Sequence, residues 1–367
     1  MKDQPMLGDV RVIDLSQYIP GPFATRQLAD LGAEVIKVEP PGGDPMRRFM
    51  HRDGAAPSPP PSPIYRHLNR GKRVCELDLK SVNGREALAA LIVDADILLE
   101  SYRPGVLARL GFDHQQLALI NPGLIHCSLS GYGQTGPYAQ RSGHDINYCA
   151  LSSQSIVSGT AEQPVNAYPP IADHASALQA AVAMLAALHA RKSRDSGIYL
   201  DISITESILA WQYLPMLAQA DERATQMLNG GAACYNLYRC ADGEFISLGA
   251  IEPVFWRNFC KALEQPAWID RQFEAMPQQA LIAEVAEVFA QQPRAHWQSL
   301  LDQADCCFEI LFSSNNLAQH PQLKSRRALS TAGPTYPAWI DHEAVEITES
   351  FESITAPNEI RWNTTTR

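Results

Sequence analysis

Two side chains in this sequence, His144 and Asp173, are of the types that move protons or attack carbonyl groups. His144 lies in a Gly-His-Asp triplet, and Asp173 precedes a long apolar segment with a helical pattern. An imidazole changes protonation near neutral pH, and a carboxylate at a helix N-terminus can act as a base or a nucleophile. The free N–H groups of that helix end can stabilise an enolate or oxyanion. The alternatives are a structural histidine and an aspartate that caps the helix, worth about 1 kcal/mol.

A second carboxylate would support His144, because a hydrogen bond to one imidazole nitrogen fixes the tautomer and raises the pKa of a histidine. Asp145 next to it and Glu252 in the segment GAIEP are the candidates. Glu252 has an alternative role as the cap of a helix that starts at Pro253. The chain has no G-x-S-x-G motif, so the sequence does not favour a serine hydrolase.

Basic side chains form two further candidate sites. The segment RHLNRGKR at 66–73 contains Arg70 and Lys72, and these residue types suit phosphate oxygens. The segment SYRPGVLAR at 101–109 contains Arg103 and Arg109 and follows a predicted strand. Ligands of open α/β sheets bind beyond the carboxyl ends of strands, so these arginines are candidates for a pyrophosphate or 3′-phosphate. A solvated turn and ordinary surface arginines are the alternatives.

The segments around these residues predict an α/β domain. Apolar runs predict strands at 10–15, 34–39, 74–79, 97–100, 124–129 and 199–204, and helices at 23–31, 84–93, 175–190 and 205–218. The first strand, helix and strand form a βαβ unit, which predicts a parallel sheet. Residues 40–63 are rich in proline and glycine and predict a loop. No G-x-G-x-x-G motif follows the first strand, which disfavours a nicotinamide-dependent dehydrogenase.

The pattern changes near residue 229 and predicts a second domain. The segment CYNLYRCADGEFISLGA has an Asp-Gly turn between two alternating runs, which is typical of a β-hairpin. Helical patterns follow at 253–263, 279–290 and 293–303. We therefore predict a large α/β domain at 1–224, to which the tail at 316–367 returns, and a small α+β domain at 225–315.

Composition excludes several classes of protein. The 367 residues carry a formal net charge of −10, which disfavours a nucleic-acid partner. The eight cysteines show no CxxC pair, so we expect buried reduced thiols and no metal site, as in the cytoplasm. The N-terminus lacks the apolar core of a signal peptide. No window reaches the roughly 18 apolar residues of a membrane span, so we expect no membrane partner.

Four motifs, in this order along the chain, resemble the family III CoA-transferases, also called the CaiB/BaiF superfamily. They are DLSQYIPGPFATRQLADLGAEVIKVEPPGGDPMR, LNRGKRVCELDLK, DILLESYRPGVLARLGF and SLSGYGQTGPY. The segments GHDINY and GGAACYNLYRCADGEFISLGAIEP are similar to the α-methylacyl-CoA racemase branch. The resemblance implies a large Rossmann-like domain that binds coenzyme A (CoA), a small domain, and an interlaced homodimer whose site lies between domains of different chains.

The resemblance also implies residue roles. The histidine and aspartate that racemases place on opposite faces of Cα fall on His144 and Asp173, and the glutamate that pairs with the histidine falls on Glu252. In the transferases the same aspartate is a nucleophile that forms mixed-anhydride and enzyme-thioester intermediates. The residues implied to line the CoA site are Tyr18, Ile19, Pro20, Ser101, Tyr102 and Arg109. Arg70, Lys72 and Arg103 join them as the phosphate candidates.

Three functions follow as hypotheses. The first is racemisation of 2-methylacyl-CoA thioesters through an enolate, with an acyl-CoA substrate and no cofactor beyond its CoA. The second is transfer of CoA to a free carboxylic acid by Asp173, and the third is non-catalytic binding of acyl-CoA. The presence of both His144 and Glu252 favours the first. Departures from the racemase pattern at Ser152, at Ser153 and after Asp173 keep the others open.

Overall fold

The computed structural model describes residues 5–49, 60–194, 196–219, 221–355 and 359–363. Within these ranges the strands are β1 (Arg11–Leu15), β2 (Glu34–Glu39), β3 (Arg73–Glu76), β4 (Ile97–Glu100), β5 (Ile125–Ser130), β6 (Ile198–Ser203), β7 (Tyr235–Arg239), β8 (Phe245–Gly249), β9 (Phe308–Ile310), β10 (Leu329–Ser330), β11 (Gly333–Pro334), β12 (Trp339–Ile340), β13 (Glu343–Ala344) and β14 (Glu352–Ile354). Part of the predicted loop at 40–63, residues 50–59, lies outside the described residues.

Helices connect and cover these strands. The α-helices are α1 (Pro20–Asp30), α2 (Pro63–Asn69), α3 (Val82–Val93), α4 (Val106–Arg109), α5 (His114–Ile120), α6 (Asp145–Leu151), α7 (Gln154–Val157), α8 (Ile171–Arg191), α9 (Ile204–Leu209), α10 (Tyr213–Ala218), α11 (Pro253–Ala262), α12 (Gln279–Phe289), α13 (Arg294–Leu301) and α14 (Pro321–Ser325). Short 3-10 helices lie at Pro45–Arg48, Ala210–Gln212, Met227–Asn229, Pro266–Arg271 and Ser314–Gln319.

A parallel sheet organises the first of two compact units, which comprises Met1–Leu151, Pro169–Ala210 and His320–Arg367. Its seven strands run in the order β14-β3-β2-β1-β4-β5-β6, and every neighbouring pair is parallel. The predicted parallel α/β fold is therefore confirmed. The strand order reverses between β1 and β4, and ligands of such sheets bind beyond the carboxyl ends of the strands at this point.

Strands β1, β2, β4 and β5 are almost wholly buried, because helices cover both faces of the sheet. Since successive side chains of a strand point to opposite faces, Val12 joins the core on the side of α1 and α8. Its neighbour Ile13 joins the core that includes Leu88 of α3. Both strand residues are fully buried. The two cores hold the carboxyl ends of the strands at one edge of the sheet.

Helix α8 is the longest element of this unit and crosses its core. By length and composition alone it could span a membrane. Its Ala177, Ala180 and Met184 side chains are instead fully buried, in the same core as Ala24 and Leu28 of α1. A helix that is apolar on nearly all sides belongs in a protein core, and here that core fixes the direction of α8 against the sheet.

The tail adds the edge strand β14 to the sheet of the first unit. Ile354 pairs with Cys75 of β3 in parallel register. The backbone N–H of Gly71 donates to the carbonyl oxygen of Ser350 across 2.8 Å, and the indole of Trp362 donates to the carbonyl oxygen of Leu91 across 3.0 Å. The tail is therefore part of the sheet rather than of a separate domain.

The second unit comprises Ser152–Tyr168 and Trp211–Gln319 and contains the antiparallel sheet β7-β8-β9. Strands β7 and β8 form the predicted hairpin, with Gly243 at a φ of +84° in its turn. Helices α11, α12 and α13 cover the sheet with a core that includes Trp256, Phe259 and Phe289. The predicted small α+β domain is therefore present.

The boundaries of the two units differ from those predicted. The prediction places residues 152–168, 211–224 and 316–319 in the large domain, whereas they group with the second unit. The reason is local: the guanidinium of Arg223 donates to the carbonyl oxygens of Thr160 and Ile156 across 2.8 and 3.1 Å. Side-chain bonds of this kind leave no periodic pattern in the sequence.

Candidate active site

The turn after β1 forms the first wall of a cavity. Tyr18 has a φ of +63°, and its N–H donates to Asp44 across 3.4 Å. The N–H of Gln17 donates to the hydroxyl of Ser101 across 3.2 Å, which joins the loops after β1 and β4. A Cβ at Gly21 would lie 2.2 Å from the Ser16 side chain, so only glycine permits this approach of α1 to the strand end.

A buried ionic cluster lies next to this turn and includes Lys72, a predicted phosphate ligand. The ammonium of Lys72 lies 2.9 Å from Asp14, and that of Lys37 lies 3.1 Å from Asp44. Burial opposes ionisation of Asp14, but Lys72 and Lys37 hold its pKa below the usual range. Burial lowers the pKa of Lys72 to about 8. Because Lys72 is 1% exposed, the predicted phosphate contact is wrong for this residue.

Arg70 is a second correction. Its guanidinium lies 2.8 Å from Asp30 and donates to the carbonyl oxygen of Pro334 across 2.8 Å. The residue is 0% exposed, so it fastens α1 to the tail and does not face a phosphate. The sequence shows the positive charges of 66–73 but not the carboxylates that meet them.

The loop after β4 forms the second wall. Ser101, Tyr102 and Arg103 line the cavity, and Arg103 is exposed. The N–H of Tyr102 donates to buried Glu100 across 2.7 Å, and burial raises the pKa of Glu100 to about 7. Arg109 lies on α4 and is exposed, but it does not line this cavity.

His144 lies in the loop directly before α6. Its N–H donates to the side-chain oxygen of Asn147 across 3.0 Å, and its ring meets Tyr18 edge-on at 6.0 Å between centroids. The hydroxyl of Tyr148 donates to the carbonyl oxygen of Gly143 across 2.6 Å. Helix α6 therefore holds the backbone on both sides of His144.

Asp173 lies inside the first turn of α8 rather than before it, because the helix begins at Ile171. The carboxylate of Asp145 occupies the helix end, accepting the N–H groups of Ala172 and Asp173 across 2.7 and 3.0 Å. The N-cap alternative for Asp173 is therefore wrong, and these two N–H groups are already bound and do not serve an enolate oxygen. Burial, and then the charge of Asp145, raise the pKa of Asp173 to about 7.

One cavity of about 350 Å³ brings the two predicted catalytic residues of this unit together. It is lined by Gln17, Tyr18, Pro20, Ser101, Tyr102, Arg103, Arg141, His144, Tyr148 and Asp173, among others. Ile19 packs away from it, against the cluster of Met46, Tyr65 and Leu68. The cavity lies beyond the carboxyl ends of β1, β4 and β5, where the sheet topology predicts a ligand.

Glu252 belongs to the second unit. It is the residue before α11, and its exposed side chain makes no capping hydrogen bond, so the capping alternative is wrong for the side chain. Its pairing with His144 stays a prediction. Asp145, the other candidate partner of His144, is engaged by α8 instead.

A second cavity of about 430 Å³ was missed from the sequence. It is lined by Val38, Glu39, Pro40, Pro41, Leu77, Asp78, Leu79, Lys80, Tyr102, Val106 and Leu110. These residues lie at the end of β2, directly after β2, β3 and β4, or at α4 and its C-terminal end. Tyr102 lines both cavities. The sequence signal for this cavity is that several of its residues lie at or after the carboxyl ends of predicted strands. The same rule selected Arg103.

Known proteins are similar to this chain in sequence and in fold. A family model described as CoA-transferase family III matches residues 7–351. The chain is 33% identical over 343 residues to the alpha-methylacyl-CoA racemase of Mus musculus, covering 91% of this chain and 84% of that protein. It is 30% identical over 335 residues to the acetyl-CoA:oxalate CoA-transferase of Acetobacter aceti, covering 88% and 85%. The crystal structure of a CAIB/BAIF family protein from Brucella suis matches with a TM-score of 0.81 and 25% identity, over 95% and 96% of the two chains.

Proposed function

The chain belongs to CoA-transferase family III, as its motifs predict, and we propose that it racemises 2-methylacyl-CoA thioesters by moving a proton between the two faces of Cα. It is an enzyme of this family, in which both racemases and CoA-transferases occur. The observation that carries the proposal is that His144 and Asp173 line the same cavity.

In the proposed reaction one of these groups removes the proton from Cα, and the other protonates the opposite face. The electron pair of the broken C–H bond moves into an enolate, whose charge lies largely on the thioester oxygen. A new C–H bond then forms, so the thioester leaves with inverted configuration and unchanged composition. The step needs no oxidant, metal or cofactor beyond the CoA of the substrate. An environment that stabilises the enolate more than the thioester lowers the barrier.

The protonation of Asp173 supports this role. A group that both takes and gives a proton works best when its pKa is near the working pH. The pKa of Asp173 is raised to about 7, so both forms of the carboxyl are well populated near neutral pH. The same carboxyl can then act as the acid in one direction and as the base in the other.

The two neighbouring cavities support a CoA thioester as the substrate class. The cavity with His144 and Asp173 would take the acyl group, and the cavity at β2 and β3 would take the adenine. Tyr102 lines both. Arg103 lines the first cavity and Lys80 the second, so each offers a cation to the phosphates between the two ends of CoA. Arg109 of α4 is a further candidate for the 3′-phosphate.

Deuterium exchange tests the proposal. The protein is incubated with (2R)-2-methylacyl-CoA in deuterated water without any free acid, and mass spectrometry follows deuterium at Cα. We expect incorporation in the native protein and none in His144→Ala, while both bind CoA equally. His296→Ala, an exposed histidine of the second unit, serves as the matched control. Retained exchange in His144→Ala would refute its role as a base.

Transfer of CoA to a free acid is the second candidate, favoured by the similarity to a CoA-transferase and by the position of Asp173 in the cavity. Its carboxylate would attack the thioester carbonyl, the C–S bond would break, and the thiolate of CoA would leave behind a mixed anhydride of Asp173 and the acyl group. The thiolate would then attack the Asp173 carbonyl, which releases the first acid and leaves an enzyme thioester. The added acid would attack that thioester to form a second anhydride, from which the thiolate takes the new acyl group and frees Asp173. If CoA appears on an added acid, hydroxylamine traps Asp173, and no deuterium enters Cα, the chain is a transferase and not a racemase.

We also propose that the chain works as a homodimer in the cytoplasm. Helices α6, α8 and α9 contact one another, yet Ile146, Leu151, Val182 and Leu209 on them are 41–61% exposed. Apolar patches of this kind mark protein contacts. The eight cysteines are free and seven are buried, as in a reducing compartment. Light scattering should give twice the 40.4 kDa mass of one chain, and cell fractionation would contradict the location if the chain sediments with membranes.

A further inference from the structure

We propose that Asp145, the residue that follows His144, is a positioning residue. Its carboxylate binds the first turn of α8, which carries Asp173. The proposal rests on the proposed function, since it assigns how the proton-transferring pair is held. Asp145 is not placed among the groups that touch the substrate: its side chain is directed at the end of the neighbouring helix.

The contacts of Asp145 reach two helices at once. Its Oδ1 accepts both the Ala172 N–H and the Asp173 N–H, across 2.7 and 3.0 Å. Its Oδ2 lies 3.7 Å from the thiol sulfur of Cys149, one turn further along α6. Because consecutive Cα atoms are about 3.8 Å apart, a shift of Asp145 moves His144 with it. One carboxylate therefore sets the spacing of the two segments that carry the pair.

The same contacts have an electrostatic consequence. A free helix N-terminus favours a negative charge on a nearby carboxylate, and would stabilise the anion of Asp173. Asp145 takes two N–H groups of that end and adds a negative charge of its own. The pKa of Asp173 is accordingly raised, with burial as the larger cause and Asp145 as the second. The capping residue thus keeps Asp173 able to hold a proton near neutral pH.

Other titratable groups around Asp173 come from each element packed against it. Helix α6 contributes Asp145, Tyr148 and Cys149. Burial, and then carboxylate charges that include Asp173, raise the pKa values of Tyr148 and Cys149. The remaining groups that line the cavity are Tyr18, Tyr102, Arg103, Arg141 and His144. Helix α1 contributes Arg26 and Asp30, which pair with each other, and Asp30 also pairs with Arg70. Among these, Asp145 alone binds the backbone of Asp173.

Asp145→Asn separates charge from geometry, because asparagine keeps an oxygen that can accept both N–H groups. The matched control is Asp113→Asn, since Asp113 caps α5 in the same way, accepting the Gln116 N–H across 2.8 Å. Carbon-13 NMR of aspartate carboxyls, with the Asp173 signal identified by its loss in Asp173→Asn, follows the titration directly. We expect Asp145→Asn to lower the midpoint for Asp173 by on the order of one pH unit, and Asp113→Asn to leave it in place.

Asp145→Ala removes the tie as well as the charge. We expect it to lower kcat for deuterium exchange at least about tenfold, a change of about 1.4 kcal/mol, with KM within about twofold, and Asp145→Asn to restore part of kcat. An unchanged kcat in Asp145→Ala, or an unmoved Asp173 midpoint in Asp145→Asn, would overturn the proposal. The NMR titration does not require catalytic activity. If the native protein shows no deuterium exchange but the Asp173 midpoint shifts as expected in Asp145→Asn, only the proposed racemase function is refuted.

Discussion

The hydroxyl of Tyr148 donates a hydrogen bond to the backbone carbonyl oxygen of Gly143 across 2.6 Å. The ring fits so closely that a Cβ added at Gly143 would lie 2.8 Å from it. Helix α6 thereby holds Gly143, the residue before His144. Asp145, the residue after His144, is bound to α8 through its own carboxylate. The loop that carries His144 is bound on both sides, so the imidazole has a defined position in the cavity.

Tyr148→Phe keeps the ring and removes the hydrogen bond to Gly143. We expect the free energy of unfolding to fall by about 1 kcal/mol, as measured by urea denaturation. Deuterium exchange at Cα should slow while CoA affinity is unchanged, because the loosened loop carries His144. The matched control is Tyr199→Phe, which removes a hydroxyl bonded to Ser128 on β5 and should leave exchange unaltered. Equal effects of the two variants would contradict this role.

The pKa of Asp173 makes stability depend on pH. Its folded value of about 7 lies above the ordinary 3.8, so the folded state holds the proton more tightly than the unfolded state. The contribution of this group is complete below about pH 4 and is lost as pH rises through about 7. Asp173→Asn should therefore be more stable than the native protein at pH 8 and equal to it near pH 4.

Urea denaturation across this pH range measures the free energy of unfolding of Asp173→Asn and of the native protein. The difference between the two values excludes the titration of Glu100, because both proteins contain this residue. Asp113→Asn, at the exposed cap of α5, should track the native protein at every pH. A constant difference between Asp173→Asn and the native protein would show that Asp173 titrates at its ordinary value.

Lys72→Met tests the structural role of the buried ionic cluster. It leaves Asp14 buried without the ammonium that lies 2.9 Å away. Breaking a buried pair in this way costs about 3–5 kcal/mol of unfolding free energy, which urea denaturation measures. Exposed Arg66 lies in the same basic segment, and Arg66→Met should change stability by less than about 0.5 kcal/mol. A stable Lys72→Met protein with weakened CoA binding would restore the phosphate hypothesis.

Arg103→Gln tests the phosphate contact that the structure leaves open. Arg103 is exposed and lines the cavity with Asp173. We expect its loss to weaken CoA binding about tenfold, or about 1.4 kcal/mol, in isothermal titration calorimetry at fixed salt. Arg194→Gln removes another exposed arginine, beyond the end of α8, and should not change the affinity. Unchanged binding in Arg103→Gln would remove this residue from the CoA site.

Strong periodic patterns predicted the elements that build the sheet. The strands at 34–39 and 97–100 are predicted at their observed bounds, because each is a short segment of β-branched and apolar residues between turns. The tail strand Glu352–Ile354 was not predicted, since three residues carry no periodic signal. Helix α8 begins at Ile171, four residues before the predicted start, because the cap that starts it, Asp145, lies in another helix.

The sequence by itself determined the alternation of strands and helices, the family, and the residue types available for proton transfer. Those properties depend on local periodicity and on motifs that are continuous along the chain. The tertiary structure alone decided which charges are free to act: Lys72 and Arg70 are bound by Asp14 and Asp30, while Arg103 faces the cavity. These pairs join residues far apart in the chain, and their energies depend on burial. The parallel sheet decides that burial when it brings the ends of β1, β4 and β5 together.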